Sequence, residues 1–212
     1  MPEGEFENSV FVNCPFDEDY AAILQSVLFC LVYLGMVPRI ATERIDSGDV
    51  RVEKIIELIK SSKYSIHDLS RCQAEKAGDY FRLNMPFELG IDYACRKFCE
   101  PPFDEKRILI LEERRFRYQA ALSDVAGCDI MVHGGDFGNA IRQVRNWLVS
   151  EGSGVSRDGA SRIRGAYFDF QEWNYERQLA QGFSEEDIQD YPTAELLAAM
   201  FEWNALGRPA TA

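Results

Sequence analysis

Ser9-Val-Phe-Val-Asn13, the loop Cys14-Pro-Phe-Asp17 and the apolar run from Tyr20 to Leu34 form the stretch on which the fold turns. Ser9–Asn13 carries no charge and is built of β-branched and aromatic residues around a single serine and asparagine, which predicts a strand. Tyr20, Ile23, Leu24, Val27, Leu28 and Leu31 then recur at helical spacing, which predicts a helix over 17–34 that Gly35 stops. Strand, short polar loop and long helix together are the first half of a βαβ unit.

The pattern repeats outward from there. Strands are expected at 37–41, 64–68, 107–111 and 129–133, with helices at 49–61, 86–97, 118–125 and 139–150. The helix at 49–61 puts Val52, Ile55, Ile56 and Ile59 on one face, and Ser47 or Asp49 is its expected cap. Alternating strands and helices require parallel pairing through right-handed crossovers. The expected fold is therefore α/β: a flavodoxin-like, doubly wound, five-stranded parallel sheet of order 2-1-3-4-5 over residues 8–150, with a helical appendage at its C-terminal end. A Gly/Ser-rich stretch marks a linker over 151–165. The appendage at 166–207 has helices at 169–181 and 192–206 and a capping-box signature at Ser184 to Asp187. Its aromatic residues, among them Tyr167, Phe170, Trp173 and Trp203, need something to pack on: the sheet domain or a second copy of the chain.

Composition excludes several functions. Lys and Arg number 23 and Asp and Glu 35, a formal charge of −12. Nucleic-acid and anionic-membrane binding both draw on Lys and Arg, so neither is expected. No apolar run reaches the roughly 20 residues of a membrane span, and the acidic start is unlike a secretory signal. The six cysteines are scattered without a Cys-x-x-Cys, which fits reduced thiols and a cytoplasmic protein and offers no metal site. Walker A and Gly-x-Gly-x-x-Gly patterns are absent, which argues against a P-loop NTPase or a dinucleotide dehydrogenase.

A sheet of order 2-1-3-4-5 binds ligands at the carboxyl ends of strands one and three. There stand Asn13-Cys14-Pro15-Phe16-Asp17 and His67-Asp68-Leu69-Ser70-Arg71, with the helix carrying Glu88 beginning on the same edge. Asn13, Asp68 and Glu88 are expected to converge. Each also has a plainer reading. Glu88 suits a first helical turn through the dipole, Asp17 suits an N-cap, Asp68 suits a turn cap, and His67 suits a hydrogen-bonded strand residue. Cys14 is either a reactive thiol near helix N-termini or a buried, inert one. The charged loop from Glu43 through Asp46 to Arg51 is a solvated connection, a lid or an assembly surface.

The run Val10–Tyr20, the loop 43–51, the segment Ile55–Ser70 and Asn84-Met-Pro-Phe-Glu88-Leu-Gly-Ile-Asp-Tyr-Ala94 resemble successive parts of TIR-type domains. The last resembles the stretch holding the catalytic glutamate of NAD-cleaving members. The same segments resemble nucleoside 2-deoxyribosyltransferases, through Pro15-Phe16, Asp68 and Glu88-Leu-Gly90. The resemblance spans residues 8–150, and ahead of Glu88 the chain departs from both families. It implies an N-glycosidic-bond hydrolase, with NAD or another nucleotide as substrate and no resident cofactor. Glu88 would meet the anomeric carbon, with Asp68 as its catalytic partner. Asn13 and Asp68 would orient the sugar or base, Phe16 would stack, and Arg39, Arg51 or Arg71 would hold a phosphate. Cys14, Pro15, Asp46, His67, Ser70 and Asn84 complete the expected site. The alternatives are a non-catalytic nucleotide-sensing or protein-interaction module, a nucleoside N-glycosidase and a deoxyribosyltransferase. The resemblance also implies a part in bacterial defence and activation by homo-oligomerisation, through the tail or the 43–51 loop.

Overall fold

A computed structural model describes residues 5–43, 46–71 and 83–210. The polar stretch over 72–82, including Cys72, and residues 44–45 of the charged loop lie outside the described residues. The elements run in the order α1 (Glu5–Asn8), β1 (Ser9–Asn13), α2 (Ala21–Tyr33), β2 (Val37–Ile40), α3 (Arg51–Lys60), β3 (Tyr64–Asp68), α4 (Asn84–Phe98), β4 (Arg107–Glu112), β5 (Met131–Val132), α5 (Phe137–Ser150), α6 (Ala160–Ala180), α7 (Glu185–Gln189) and α8 (Thr193–Ala205). The sheet is all-parallel, in the order β2-β1-β3-β4-β5, a flavodoxin-like arrangement.

Alternation along the buried strands decides what each face of the sheet receives. Val10 and Val12 of β1, Tyr64 and Ile66 of β3, and Leu109 and Leu111 of β4 enter the core under α2 and α5. Phe11 points the other way, into the smaller core with Ile55, Leu58 and Ile59 of α3. By the same alternation Asn13 and His67 fall on the α3/α4 side, while Asp68 falls on the α2 side.

α2 is buried from Ile23 through Tyr33 with the sole exception of half-buried Gln25. A helix apolar all round must be covered on more than one side. The sheet and α5 cover two sides, and the C-terminal helices cover the rest. Phe29 of α2 lies 5.2–5.5 Å, ring to ring, from Tyr167 and Phe170 of α6 and Trp203 of α8. The aromatic tail therefore docks on its own domain and shares its core.

Several boundaries differ from expectation. α6 begins at Ala160, inside the expected 151–165 linker, because Ile163, Tyr167 and Phe170 extend its apolar stripe onto α2. Residues 117–125 form two 3-10 turns, and β5 keeps only two of its five expected residues. Neither Ser47 nor Asp49 caps α3, whose N-cap is Val50 with no side-chain bond. Asp17 does accept from the Tyr20 N–H as a cap, and Ser184 and Asp187 form the capping box.

Candidate active site

Where the strand order turns, between β1 and β3, a cavity of about 480 Å³ opens at the carboxyl edge of the sheet. Asn13, Cys14, Phe16 and Asp17 form one wall, Asn84, Met85 and Glu88 of α4 another, and Arg51 stands at the start of α3. Two helix N-termini meet here, so backbone dipoles as well as Arg51 favour a ligand with negative charge.

Glu88 lies one turn into α4 on its inward face, 7% exposed. Among the described residues no side chain or backbone group hydrogen-bonds its carboxyl. Burial pushes its pKa from 4.5 up to about 7, with the positive charge of Arg51 pulling the other way. A desolvated, unpartnered carboxyl on a cavity wall is poorly explained by fold stability. Half-ionised near neutrality, it can act as a carboxylate or as an acid.

Asn13 stands at the end of β1 beside it. Its Nδ2 donates to the Met85 carbonyl at 2.9 Å and lies 2.9 Å from His67 Nδ1. A carbonyl only accepts, so the amide nitrogen is the atom that faces Met85, and its second proton goes to His67. His67 Nε2 then carries the imidazole proton and donates to Asp92 Oδ2 at 3.0 Å. Asp92 Oδ1 faces Lys106 Nζ across 3.2 Å, and Lys106 also donates to the carbonyls of Ile59 and Ser62. Burial works against ionising Asp92, but the His67 hydrogen bond and the Lys106 charge outweigh it and hold its pKa below the ordinary carboxylate value. Sequence reasoning missed Asp92 and Lys106. The Glu88–Asp92 spacing, which puts both carboxylates on one helix face, was the available signal.

The other expected site residues divide by location. Cys14 is in the cavity wall, but burial, reinforced by the charges of Asp68, Glu88 and Asp17, raises its thiol pKa well above normal. It is a protonated, inert thiol at neutral pH. Phe16 is half in solvent at the cavity rim, Pro15 is buried behind it, and Asn84 lines the entrance. Arg39 is turned to Glu43, four residues on, and away from the cavity. Asp46 accepts from the Gly48 N–H within its own exposed loop. Arg71 bridges Asp17 and Glu113.

Asp68, expected at the reaction centre, is withdrawn from the cavity because alternation aims it at the α2 face. Its Oδ2 accepts from Tyr20 Oη at 2.6 Å and from His133 Nε2 at 3.0 Å, and its Oδ1 from the Ser70 N–H. Ser70 Oγ also lies 3.1 Å from His133 Nε2, so serine, histidine and aspartate are together. They are no nucleophilic triad: serine and aspartate share one imidazole nitrogen, and the other accepts from the Gly135 N–H. The cluster ties the loops after β3 and β5 to α2, and Tyr20 and His133 in it were not foreseen.

Among the described residues no group of side chains is arranged to hold a metal ion, and no helix is long and apolar enough to cross a membrane. No protein-family model, curated protein or solved structure matches the chain.

Proposed function

We propose that this chain hydrolyses the N-glycosidic bond of a ribosyl nucleotide, with NAD as the substrate and Glu88 as the group that meets the anomeric carbon. The observation that carries the reading is the Glu88 carboxyl itself: buried, unpartnered among the described residues, and facing a ligand-sized cavity at the switch point of the sheet. The resemblance of the segments around Asn13 and Glu88 to NAD-cleaving TIR domains supports the same assignment.

In this reaction the bonding electron pair leaves with the nicotinamide nitrogen, which becomes neutral, so the leaving group needs no proton. Positive charge develops on the ribosyl carbon. The Glu88 carboxylate stabilises it, or bonds to it transiently, and water then adds to that carbon. The products are nicotinamide, ADP-ribose and one proton, which the carboxylate accepts as water attacks. Arg51 and the two helix N-termini suit the diphosphate, and Phe16 at the rim suits stacking on a base. Asp68 keeps a supporting role, holding the loop after β3.

A second reading draws on the raised pKa. A Glu88 that holds a proton at neutral pH can donate it to the base leaving a neutral nucleoside. Incubation of concentrated protein with NAD, followed by chromatography of the products beside Glu88→Ala, tests the proposal. Nicotinamide released by wild type and not by the variant supports it. Release of free base from nucleosides with NAD left intact selects the second reading. Binding of NAD with neither NAD nor nucleosides turned over at any concentration refutes both and identifies a sensing module.

A further inference from the structure

We infer that the buried series Lys106–Asp92–His67 is a positioning device for Asn13, and that it gives the cavity one fixed hydrogen-bond acceptor, Asn13 Oδ1, suited to a ribosyl hydroxyl beside the bond on which Glu88 acts. The inference rests on the N-glycosidase reading and goes further by naming what selects the sugar: Asn13, held by this series, favours ribosides over 2′-deoxyribosides.

The direction of every bond in the series is forced. Lys106 can only donate, and it faces Asp92 while also donating to two backbone carbonyls. Asp92 accepts from His67 Nε2, and the Asn13 amide nitrogen that faces His67 Nδ1 at 2.9 Å can only donate, which makes Nδ1 the acceptor. One amide proton of Asn13 goes to that nitrogen and the other to the Met85 carbonyl. Both donors of Asn13 are then used, and only its Oδ1 remains for a ligand in the cavity that Asn13 lines. Lys106, Asp92 and His67 are fully buried, so turning the amide over would face its oxygen toward two acceptors with no solvent to compensate.

The placement is equally constrained. Met85, which Asn13 grips, and Glu88 are three residues apart on the inward face of α4. The acceptor and the carboxyl are thus anchored to one helical turn. With Glu88 at the anomeric carbon, the neighbouring sugar carbon is the one an acceptor there addresses, and in a riboside that carbon carries a hydroxyl. A 2′-deoxy sugar would leave Asn13 Oδ1 desolvated and unpaired. Sites built to hydrogen-bond a ligand group discriminate strongly against the analogue that lacks it.

The test measures binding in the full-length Glu88→Gln chain, where the ligand survives. Calorimetry compares nicotinamide riboside with its 2′-deoxy analogue, in that parent and with Asn13→Ala or His67→Phe added. The expected result is a preference of about tenfold or more for the riboside in the parent. Either added substitution should bring the ratio close to one. If His67 served folding alone, its variant would lower the melting temperature and leave the ratio unchanged. Equal affinities in the parent overturn the inference, as does a ratio that survives His67→Phe. If His67→Phe does not fold, the parent and Asn13→Ala decide. NAD turnover by wild type, run alongside, separates the two possible failures. Turnover with equal affinities removes only this inference. Binding of neither riboside together with no turnover removes the glycosidase reading, and this one with it.

Discussion

Replacing Glu88 by Gln should make the protein more stable, by an amount set by pH. In the unfolded chain the carboxyl has its ordinary pKa of 4.5, and in the folded chain it is raised to about 7. Below pH 4.5 it is protonated in both states, and folding carries no penalty from it. As pH rises through the folded value, that full stability is lost, because the folded state must either keep a proton that solvent would take or hold a desolvated charge. The gap of about 2.5 pH units, at about 1.4 kcal/mol each, gives roughly 3 kcal/mol at pH 8 as an upper figure. For a chain of this size that is a rise in Tm of about 6–12 °C. Gln keeps the shape of the neutral acid and does not titrate, so the gain should appear at pH 8 and shrink toward zero by pH 4.5. Urea unfolding of both proteins across this range is the assay. A gain independent of pH, or a loss at pH 8, would refute the claim that Glu88 is a desolvated carboxyl held without a partner.

Other substitutions probe the surroundings of the site. Arg51→Ala should raise KM for NAD about tenfold. It should also move the pH midpoint of activity above that of wild type, because the Arg51 charge lowers the Glu88 pKa; a fall in kcat at unchanged KM would argue against phosphate contact. Lys106→Met leaves Asp92 buried without its cation and should cost about 3–5 kcal/mol in urea unfolding. Adding Asp92→Leu should recover part of that loss, whereas strictly additive losses would show that the pair is not coupled. Trp203→Ala opens a cavity against Phe29 and Phe170 and should cost about 3–5 kcal/mol, while a loss below 1 kcal/mol would mean that the tail is not part of the main core.

The sheet was legible because its strands are buried on both faces and read as short apolar runs. β1 and β3 match their expected bounds, and β5 shrinks because a strand at the edge of the sheet has a neighbour on one side only. The all-round hydrophobicity of α2 was legible as a run but not as a demand for a third layer, so α6 was expected nine residues late. At the site, Glu88, Asn13, Arg51 and the Cys14–Asp17 loop come together as their places at one sheet edge implied. Asp68 does not, since a strand residue next to His67 must face the opposite side of the sheet. Arg39 goes to Glu43 because a local partner four residues away competes with any cavity. Asp92 and Lys106 were hidden for a different reason: sequence marks both as surface residues, and only tertiary structure brings the opposite charges together in the interior.

The most direct measurement is kcat/KM for nicotinamide release from NAD between pH 5 and 9, in wild type and Glu88→Gln. An ionised Glu88 that meets the ribosyl carbon predicts a wild-type rate that climbs with pH to a plateau, with a midpoint near 7, and a variant slower by a factor of about 100 or more with no such midpoint. A wild-type rate that falls through pH 7, or a variant that keeps both the rate and the profile, would contradict it.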